Sequence, residues 1–287
     1  MMEEEKRIWP GEELLTEFAD MLVREERSRG TIEKYVRDVK HFGRWLAENS
    51  LEVSKETGTA WREALLEQGY QPVTVNSMVC AVNTFFRLTG VEGLQIKTLR
   101  LQRKLFQEEE RNLSKGEFQR LLRQAEGEGN QRLAMILETI AGTGIRISEL
   151  PYITAEAVKT GRAAIRLKGK VRTILLPARL CQKLKLYMKK RGVDTGVIFR
   201  TGRGKAICRK QVWAEMKALA VRAGVETGKV FPHNLRHLFA RCFYKENRDL
   251  AGLASLLGHS SIETTRIYLL STEASKQKQL GRMRLVC

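Results

Sequence analysis

The sequence has few cysteines, and their arrangement argues against two common roles. Five cysteines, an odd number, occur among the 287 residues, and no two stand at the short spacing of a zinc site or of a disulfide framework. This pattern is typical of a protein from a reducing cytoplasm. It gives no reason to expect a metal ion.

Long apolar runs are missing as well. No stretch approaches the roughly 18 consecutive apolar residues of a membrane span. The first residues, MMEEEKRIWPGEE, are acidic, whereas a signal peptide begins with a basic region and continues with an apolar one. We therefore expect a soluble cytoplasmic protein with no membrane partner.

Acidic residues are scarce in only one part of the chain. Residues 1–100 contain 14 Lys and Arg against 17 Asp and Glu, whereas residues 101–287 contain 37 against 16. The excess behind the formal net charge of +18 therefore lies entirely in the second part. A field of this sign attracts a polyanion, and nucleic acid is the first candidate. Two other interpretations of the charge stay open: a basic surface that only aids solubility, and one that binds anionic membranes.

Apolar residues at helical spacing predict four helices in the first 100 residues, in GEELLTEFADMLVREE, TIEKYVRDVKHFGRWLAEN, ETGTAWREALLEQ and PVTVNSMVCAVNTFFRLTG. We expect Thr31 to cap the second helix and Gly90 to end the fourth. Lys34 and Arg37 lie outside the apolar stripe of the second helix, so they are candidate DNA contacts. Because 287 residues favour two domains, residues 1–100 are predicted to form a compact helical domain.

A second, larger domain is predicted after a linker. Residues 101–111 lose clear periodicity and carry a basic cluster before an acidic one. Ser114 and Glu117 then stand at the spacing of a capping box, so the second domain is predicted to span residues 112–287.

Short β-branched runs interrupt the helical pattern of this second domain. AAIRL and RTILLP flank a tight KGK segment and predict an antiparallel hairpin, with GVIFR as a candidate third strand. After residue 205 the chain is again predicted helical, with breaks at Gly224, at KVFPHN and at Gly258. The predicted fold class is mainly α (α+β), with a four-helix N-terminal domain and a larger helical domain that carries a small antiparallel sheet.

The residues that suggest chemistry are concentrated in the second domain. In HNLRH, His233 and Arg236 stand at i and i+3, which places them on one face of a helix. Tyr268 follows His259 by nine residues. Arg146 follows a Gly-rich turn in GTGIRISEL, at the start of a predicted helix whose N–H groups also favour an anion. These separate elements all carry residue types that are suited to binding a phosphate.

In this order the residues resemble the signature of the tyrosine recombinases of the lambda-integrase type, the phage integrases. That signature is Arg, Lys, His-x-x-Arg, His and Tyr, and its candidates are Arg146, Lys168, His233, Arg236, His259 and Tyr268. The resemblance covers residues 112–275, and the N-terminal helices resemble the family's core-binding, DNA-clamping domain more weakly. At the hairpin the chain has LKGKVR where members often have G-K-G-x-K-x-R. Lys168 is therefore the first candidate for the catalytic lysine, and Lys170 is the alternative.

The resemblance implies a role for each residue. Tyr268 would attack a DNA phosphodiester and form a 3′-phosphotyrosyl bond, with His233 as general base and Lys168 as general acid for the 5′ oxygen. Arg146 and Arg236 would hold the phosphate, because planar guanidinium groups bind its oxygens bidentately and stay charged. The remaining assignments are a hydrogen bond from His259 to a phosphate oxygen, orientation of the site by Glu149, and DNA contact by Arg172.

No cofactor is expected, because a phosphotyrosyl ester retains the energy of the phosphodiester and religation then needs neither ATP nor metal. The sequence correspondingly has no P-loop motif and no two-metal carboxylate cluster. The expected partner is double-stranded DNA with specific recombination sites, on which four protomers assemble through the C-terminal tail. Whether accessory DNA-bending proteins also take part stays open.

Two alternative functions remain at this point. A type IB topoisomerase would use nearly the same residues but would relax DNA without preference for a site. A DNA-binding regulator could keep the fold without the activity, since function depends on the site and not on the fold. Trapping of a covalent adduct on a nicked substrate would identify an enzyme.

Overall fold

The chain divides into two compact units, Met1–Arg103 and Lys104–Cys287. The computed structural model describes residues 11–91, 93–101, 112–167, 170–259, 261–266, 268 and 282, without the side chains of residues 166, 167, 170 and 171. The division between the units falls within the predicted linker. Residues 102–111 of that linker lie outside the described part of the chain, so its bounds stay a prediction.

The first unit contains the four predicted helices, α1 (Glu12–Arg24), α2 (Arg29–Glu48), α3 (Lys55–Glu67) and α4 (Pro72–Leu88). Their apolar faces enclose an aromatic core made by Phe18, Phe42, Trp61, Phe85 and Phe86. The prediction that Thr31 caps α2 is wrong, because Ser28 is the N-cap and its side chain accepts a hydrogen bond from the Thr31 amide. Gly30 therefore lies in the first turn of α2. Gly90 takes a left-handed conformation (φ 72°) just after α4, as expected.

The second unit is also mainly helical. Its α-helices are α5 (Lys115–Gly127), α6 (Gln131–Thr143), α7 (Ala155–Thr160), α8 (Ala178–Arg191), α9 (Arg209–Arg222), α10 (Pro232–Asn247), α11 (Leu250–Leu257) and α12 (Ile262–Arg266), with 3₁₀ helices at Ile147–Tyr152 and Thr227–Lys229. The capping box that opens α5 is formed, with Ser114 and Glu117 exchanging side-chain and backbone hydrogen bonds. α6 and α10 pack together at the centre of this unit, and the buried residues of α6 include Ile136 and Ile140. Among the described residues no helix is long and apolar enough to cross a membrane.

The predicted hairpin is present, but the third strand is not. Strands β1 (Arg162–Leu167) and β2 (Lys170–Leu175) form a two-stranded antiparallel sheet in which Arg162 faces Leu175 and Leu167 faces Lys170. The GVIFR segment makes only isolated bridges, from Val197 to Thr154 and from Arg200 to Ala206. Its Ile198 and Phe199 are buried among the helices. Periodicity cannot distinguish such a short buried apolar run from a strand, which is why the sequence prediction was wrong here.

Candidate active site

Tyr268 lies in the interior of the second unit, only 5% exposed. Its ring packs in a small apolar cluster with Ala240, Leu253 and Leu257. Three imidazole rings stand around it: the ring centroid of Tyr268 is 4.2 Å from that of His237, 5.5 Å from that of His259 and 5.8 Å from that of His233. The fold thus brings Tyr268 against every histidine of the C-terminal motifs.

Arg236 is fully buried beside this tyrosine, at 1% exposure. Its Nη1 donates to the Gly144 carbonyl at 2.6 Å, and its Nη2 donates to the Leu257 carbonyl at 2.8 Å. Burial, followed by the nearby charge of Arg146, lowers the pKa of Arg236, while a hydrogen bond to Tyr268 raises it. The two carbonyl partners are neutral, so the guanidinium charge stays available to a bound anion.

Arg146 caps the 3₁₀ helix Ile147–Tyr152 and stands beside the buried carboxylate of Glu149. Glu149 accepts from the Arg146 amide at 2.7 Å and from its Nη1 at 3.2 Å. The Arg146 side chain is 44% exposed and remains open to solvent. The predicted helix is therefore a single 3₁₀ element, and the N–H group of its N-cap residue, Arg146, binds a carboxylate of the protein.

His259 is held between an arginine and a threonine. Its Nε2 lies 2.8 Å from Arg236 Nη2 and its Nδ1 lies 2.8 Å from Thr265 Oγ1. Because a guanidinium can only donate, Nε2 must accept, and in the neutral ring the proton then sits on Nδ1. Burial and the charges of Arg236, Arg146 and Arg172 lower the pKa of His259 to about 4. Donation from His259 to a phosphate, as predicted, would require it to exchange these partners.

The other two histidines of the site also favour the neutral form. Burial, and then the charges of Arg236 and Arg146, lower the pKa of His233. Burial lowers the pKa of His237 to about 3, helped by His233 and two arginines, and its buried Nδ1 has no hydrogen-bond partner among the described residues. A neutral His233 can accept a proton, which is what a general base requires.

Sequence reasoning assigned no role to His237 or Thr265. His237 follows His233 by four residues, so the helical spacing already placed both on one face of α10. Thr265 offered no such signal, since its contact with His259 depends on how the chain turns between α11 and α12.

Several predicted site residues lie elsewhere or outside the described part of the chain. Lys168 is not described, and Lys170 opens β2 with its side chain undescribed. Lys34 in α2 binds buried Asp38 at 2.5 Å and the Ser77 carbonyl at 3.2 Å, whereas Arg37, also paired with Asp38, has a side chain that is 72% exposed. DNA contact by Lys34 and Arg37 stays a prediction. Across the described residues, no group of three or more His, Cys, Asp or Glu side chains is arranged to hold a metal ion.

A buried tyrosine surrounded by arginines and neutral histidines has the groups that an enzyme needs to act on a phosphodiester. Residues 111–275, more than half of the chain, match the phage integrase family, and residues 15–93 match the N-terminal SAM-like domain of phage integrases. The chain therefore belongs to the phage integrase family, the tyrosine recombinases. The resemblance noted in the motifs and the predicted fold class are both confirmed.

Individual relatives match along nearly the whole chain. Tyrosine recombinase XerC of Erythrobacter litoralis is 31% identical over 88% of this chain and 86% of its own length. Tyrosine recombinase XerA of Pyrococcus furiosus is 29% identical over 96% of this chain and 95% of its own length. Among solved structures, a lambda integrase tetramer bound to a Holliday junction shares the fold, with a TM-score of 0.69 and 18% identity over 89% of this chain and 76% of that one.

Proposed function

We propose that this recombinase cuts and rejoins double-stranded DNA at specific sites through a covalent bond between a 3′ phosphate and Tyr268, without metal or ATP. The observation that supports this best is the setting of Tyr268, which is hydrogen-bonded to buried Arg236 and enclosed by three histidine rings. The alternatives of topoisomerase and inactive regulator have no comparable observation in their favour.

The cleavage step follows from the charges around Tyr268. The phenol oxygen bonds to phosphorus, the bond from phosphorus to the 5′ oxygen breaks, and the tyrosine proton passes to neutral His233. Lys168, or Lys170 in its place, protonates the departing 5′ oxygen. Arg146 and Arg236 stabilise the charge that develops on the phosphate oxygens.

Religation reverses these proton transfers. A 5′ hydroxyl from another strand attacks the phosphorus of the phosphotyrosyl bond. Tyr268 then leaves and takes its proton back from His233. No external energy enters, because one phosphoester replaces another. The same groups therefore serve both halves of strand exchange.

Assembly on DNA is part of the proposal. Exchange between two duplexes requires four cuts, and one chain supplies one Tyr268, so four protomers must meet. The lambda integrase tetramer on a Holliday junction supports this arrangement by analogy of fold. We propose that the tail, residues 275–287, links neighbouring protomers. It lies outside the described residues apart from Arg282. We further propose a cytoplasmic, nucleoid-associated enzyme, with accessory DNA-bending proteins left open.

The test is the change Tyr268→Phe with a nicked suicide substrate. Only the hydroxyl is lost, so we expect DNA affinity to stay within about twofold and covalent adduct on denaturing gels to disappear. Tyr187→Phe is the matched control, since Tyr187 is a buried tyrosine of the same unit. Adduct that persists in Tyr268→Phe contradicts the assignment of the nucleophile. Stable DNA binding by the unaltered protein without any adduct would identify a regulator. Relaxation of a supercoiled plasmid that has no recombination site would identify a topoisomerase.

A further inference from the structure

We propose that Arg172 is a positioning residue for DNA cleavage, which orients Arg146 through Glu149 and orients Arg236 and His259 through the C-terminal end of α11, Leu256–Gly258. The proposal rests on the function proposed above. Sequence reasoning assigned Arg172 to DNA contact, and the structure points to a different use of the side chain.

The first connection runs from β2 to the Arg146 turn. Arg172 Nη2 donates to Glu149 Oε2 at 2.5 Å, and the same carboxylate binds the Arg146 amide and Arg146 Nη1. Glu149 is 3% exposed, and its buried carboxylate is paired with both arginines beside it. Because Glu149 orients Arg146, the position of Arg172 helps to fix where the Arg146 guanidinium points.

The second connection runs from β2 to the C-terminal end of α11. Arg172 Nη1 donates to the Leu256 carbonyl at 3.0 Å, and the next carbonyl along the chain, that of Leu257, holds Arg236. The Arg172 side chain also passes directly over Gly258, where an added Cβ would lie 2.6 Å from Arg172 Cδ. His259 follows immediately, so one guanidinium braces the segment whose Leu257 carbonyl holds Arg236 and which leads into His259.

The geometry leaves little of Arg172 for direct contact with DNA. Its side chain is 15% exposed, against 44% for Arg146, and both terminal nitrogens already have acceptors. Nε is buried as well and has no hydrogen-bond partner among the described residues. A planar guanidinium carries its donors on separate nitrogens in a rigid fork and can reach two acceptors that lie apart, whereas the three N–H groups of a lysine share one nitrogen at the end of a flexible stem. The bridging role thus calls for arginine and not for positive charge alone.

The experiment compares Arg172→Gln and Arg172→Lys with the unaltered protein. It measures the single-turnover rate of covalent adduct formation on a nicked suicide half-site. We expect Arg172→Gln to slow cleavage about 100-fold, the effect of a misplacement near 1 Å, while the Kd for DNA changes less than about twofold. Arg172→Lys should fall between Arg172→Gln and the unaltered protein. Arg162→Gln is the control, because it removes the same charge from an exposed position on β1 of the same sheet.

A second substrate distinguishes positioning from a general loss of structure. In a methylphosphonate half-site one charged phosphate oxygen is replaced by a methyl group, so less of the rate depends on the arginines. If Arg172 acts through Arg146 and Arg236, the loss in Arg172→Gln should shrink to about tenfold or less on this substrate. A partly unfolded protein would lose the same factor on both substrates.

The coupling to Glu149 can be measured directly. If Arg172 works through this carboxylate, the double variant Glu149→Gln with Arg172→Gln should cleave no more slowly than the slower single variant. Effects that multiply would show independent roles and overturn the proposal. Should Arg172→Gln fail to fold, Arg172→Lys keeps the charge and is tested in the same way.

Other outcomes also decide the question. Three results would overturn the positioning role while the proposed function stands. They are cleavage by Arg172→Gln at the unaltered rate, full activity of Arg172→Lys, and an equal loss of rate on both substrates. If the unaltered protein forms no Tyr268-dependent adduct on either substrate, the proposed function fails and the role of Arg172 fails with it.

Discussion

At the scale of single residues, the site combines fixed positive charge with histidines that stay neutral. Arg236 is buried without a carboxylate among the hydrogen-bond acceptors described above, and burial, followed by the charge of Arg236, lowers the pKa of the neighbouring His233 and His259 rings. A bound phosphate would supply the missing negative charge. The arginine and the neutral histidines are thus arranged to receive an anion, which is the preorganisation that phosphoryl transfer needs.

The neutral state of His237 has a consequence for stability. Its pKa is about 3 in the folded protein, against roughly 6.5 in an unfolded chain, so between these values only the unfolded state binds the proton. The stabilising contribution is complete above pH 6.5 and is lost as the pH falls toward 3. From pH 7 to pH 5 we expect the free energy of unfolding to drop by roughly 2 kcal/mol more in the unaltered protein than in His237→Phe.

Urea unfolding at the two pH values measures this difference. Phenylalanine keeps an aromatic ring beside Tyr268, so the comparison isolates the titration and not the packing. Equal acid sensitivity in the two proteins would show that His237 is not held neutral.

At the scale of elements, the end of α6 positions Arg236. Gly144 caps α6 in a left-handed conformation (φ 65°), and its carbonyl accepts from Arg236 Nη1. An added Cβ would lie 2.4 Å from Phe239 Cδ1 and 2.9 Å from Leu257 Cδ2. Only glycine meets the conformational and the spatial requirement together.

Gly144→Ala should therefore cost about 2–4 kcal/mol in the free energy of unfolding, from left-handed strain and from overpacking together. Gly192→Ala is the control, since Gly192 caps α8 with φ 61° and has no atom within 4 Å of an added Cβ. We expect about 1–2 kcal/mol there, from strain alone. Urea unfolding checks both values, and an equal loss in the two variants would mean that the close approach to Phe239 and Leu257 has no energetic cost.

At the scale of the whole molecule, charge separates the two parts of the chain. The 21 excess positive charges after residue 100 belong to the part that includes the site, whereas residues 1–100 are slightly acidic in net charge. Phosphate binding should thus depend chiefly on the second unit, and we expect the first unit to contribute through local groups such as Arg37.

Assembly gives a prediction at the same scale. Deleting residues 275–287 should leave binding of one protomer to a half-site within about twofold, because the truncation removes none of the proposed catalytic residues. Cooperative occupancy of paired half-sites should weaken, and recombination should be lost. Gel-shift titrations on single and paired half-sites measure the first two effects, and a plasmid assay measures the third. Recombination at the full rate by the truncated protein would show that another surface links the protomers.

The sequence by itself determined the features that depend on local pattern. Helical spacing predicted α1 to α4, the capping box predicted the start of α5, and short β-branched runs around the KGK segment predicted the hairpin. The ordered motifs were sufficient for the family, because their spacing along the chain is itself the signal. Each of these rests on neighbours within a few positions, which a linear reading contains.

Only the tertiary structure decided how the motifs meet. Arg172 and Glu149 are 23 residues apart, and Arg172 and Leu256 are 84 apart, so no local pattern could show that one side chain joins them. The partners of His259, and hence the nitrogen that carries its proton, likewise depend on Arg236 and Thr265 being folded around it. The burial of GVIFR among helices, in place of a third strand, has the same cause. Contacts between distant segments are set by the packing of the whole core, and that packing has no counterpart in the spacing of residues along the chain.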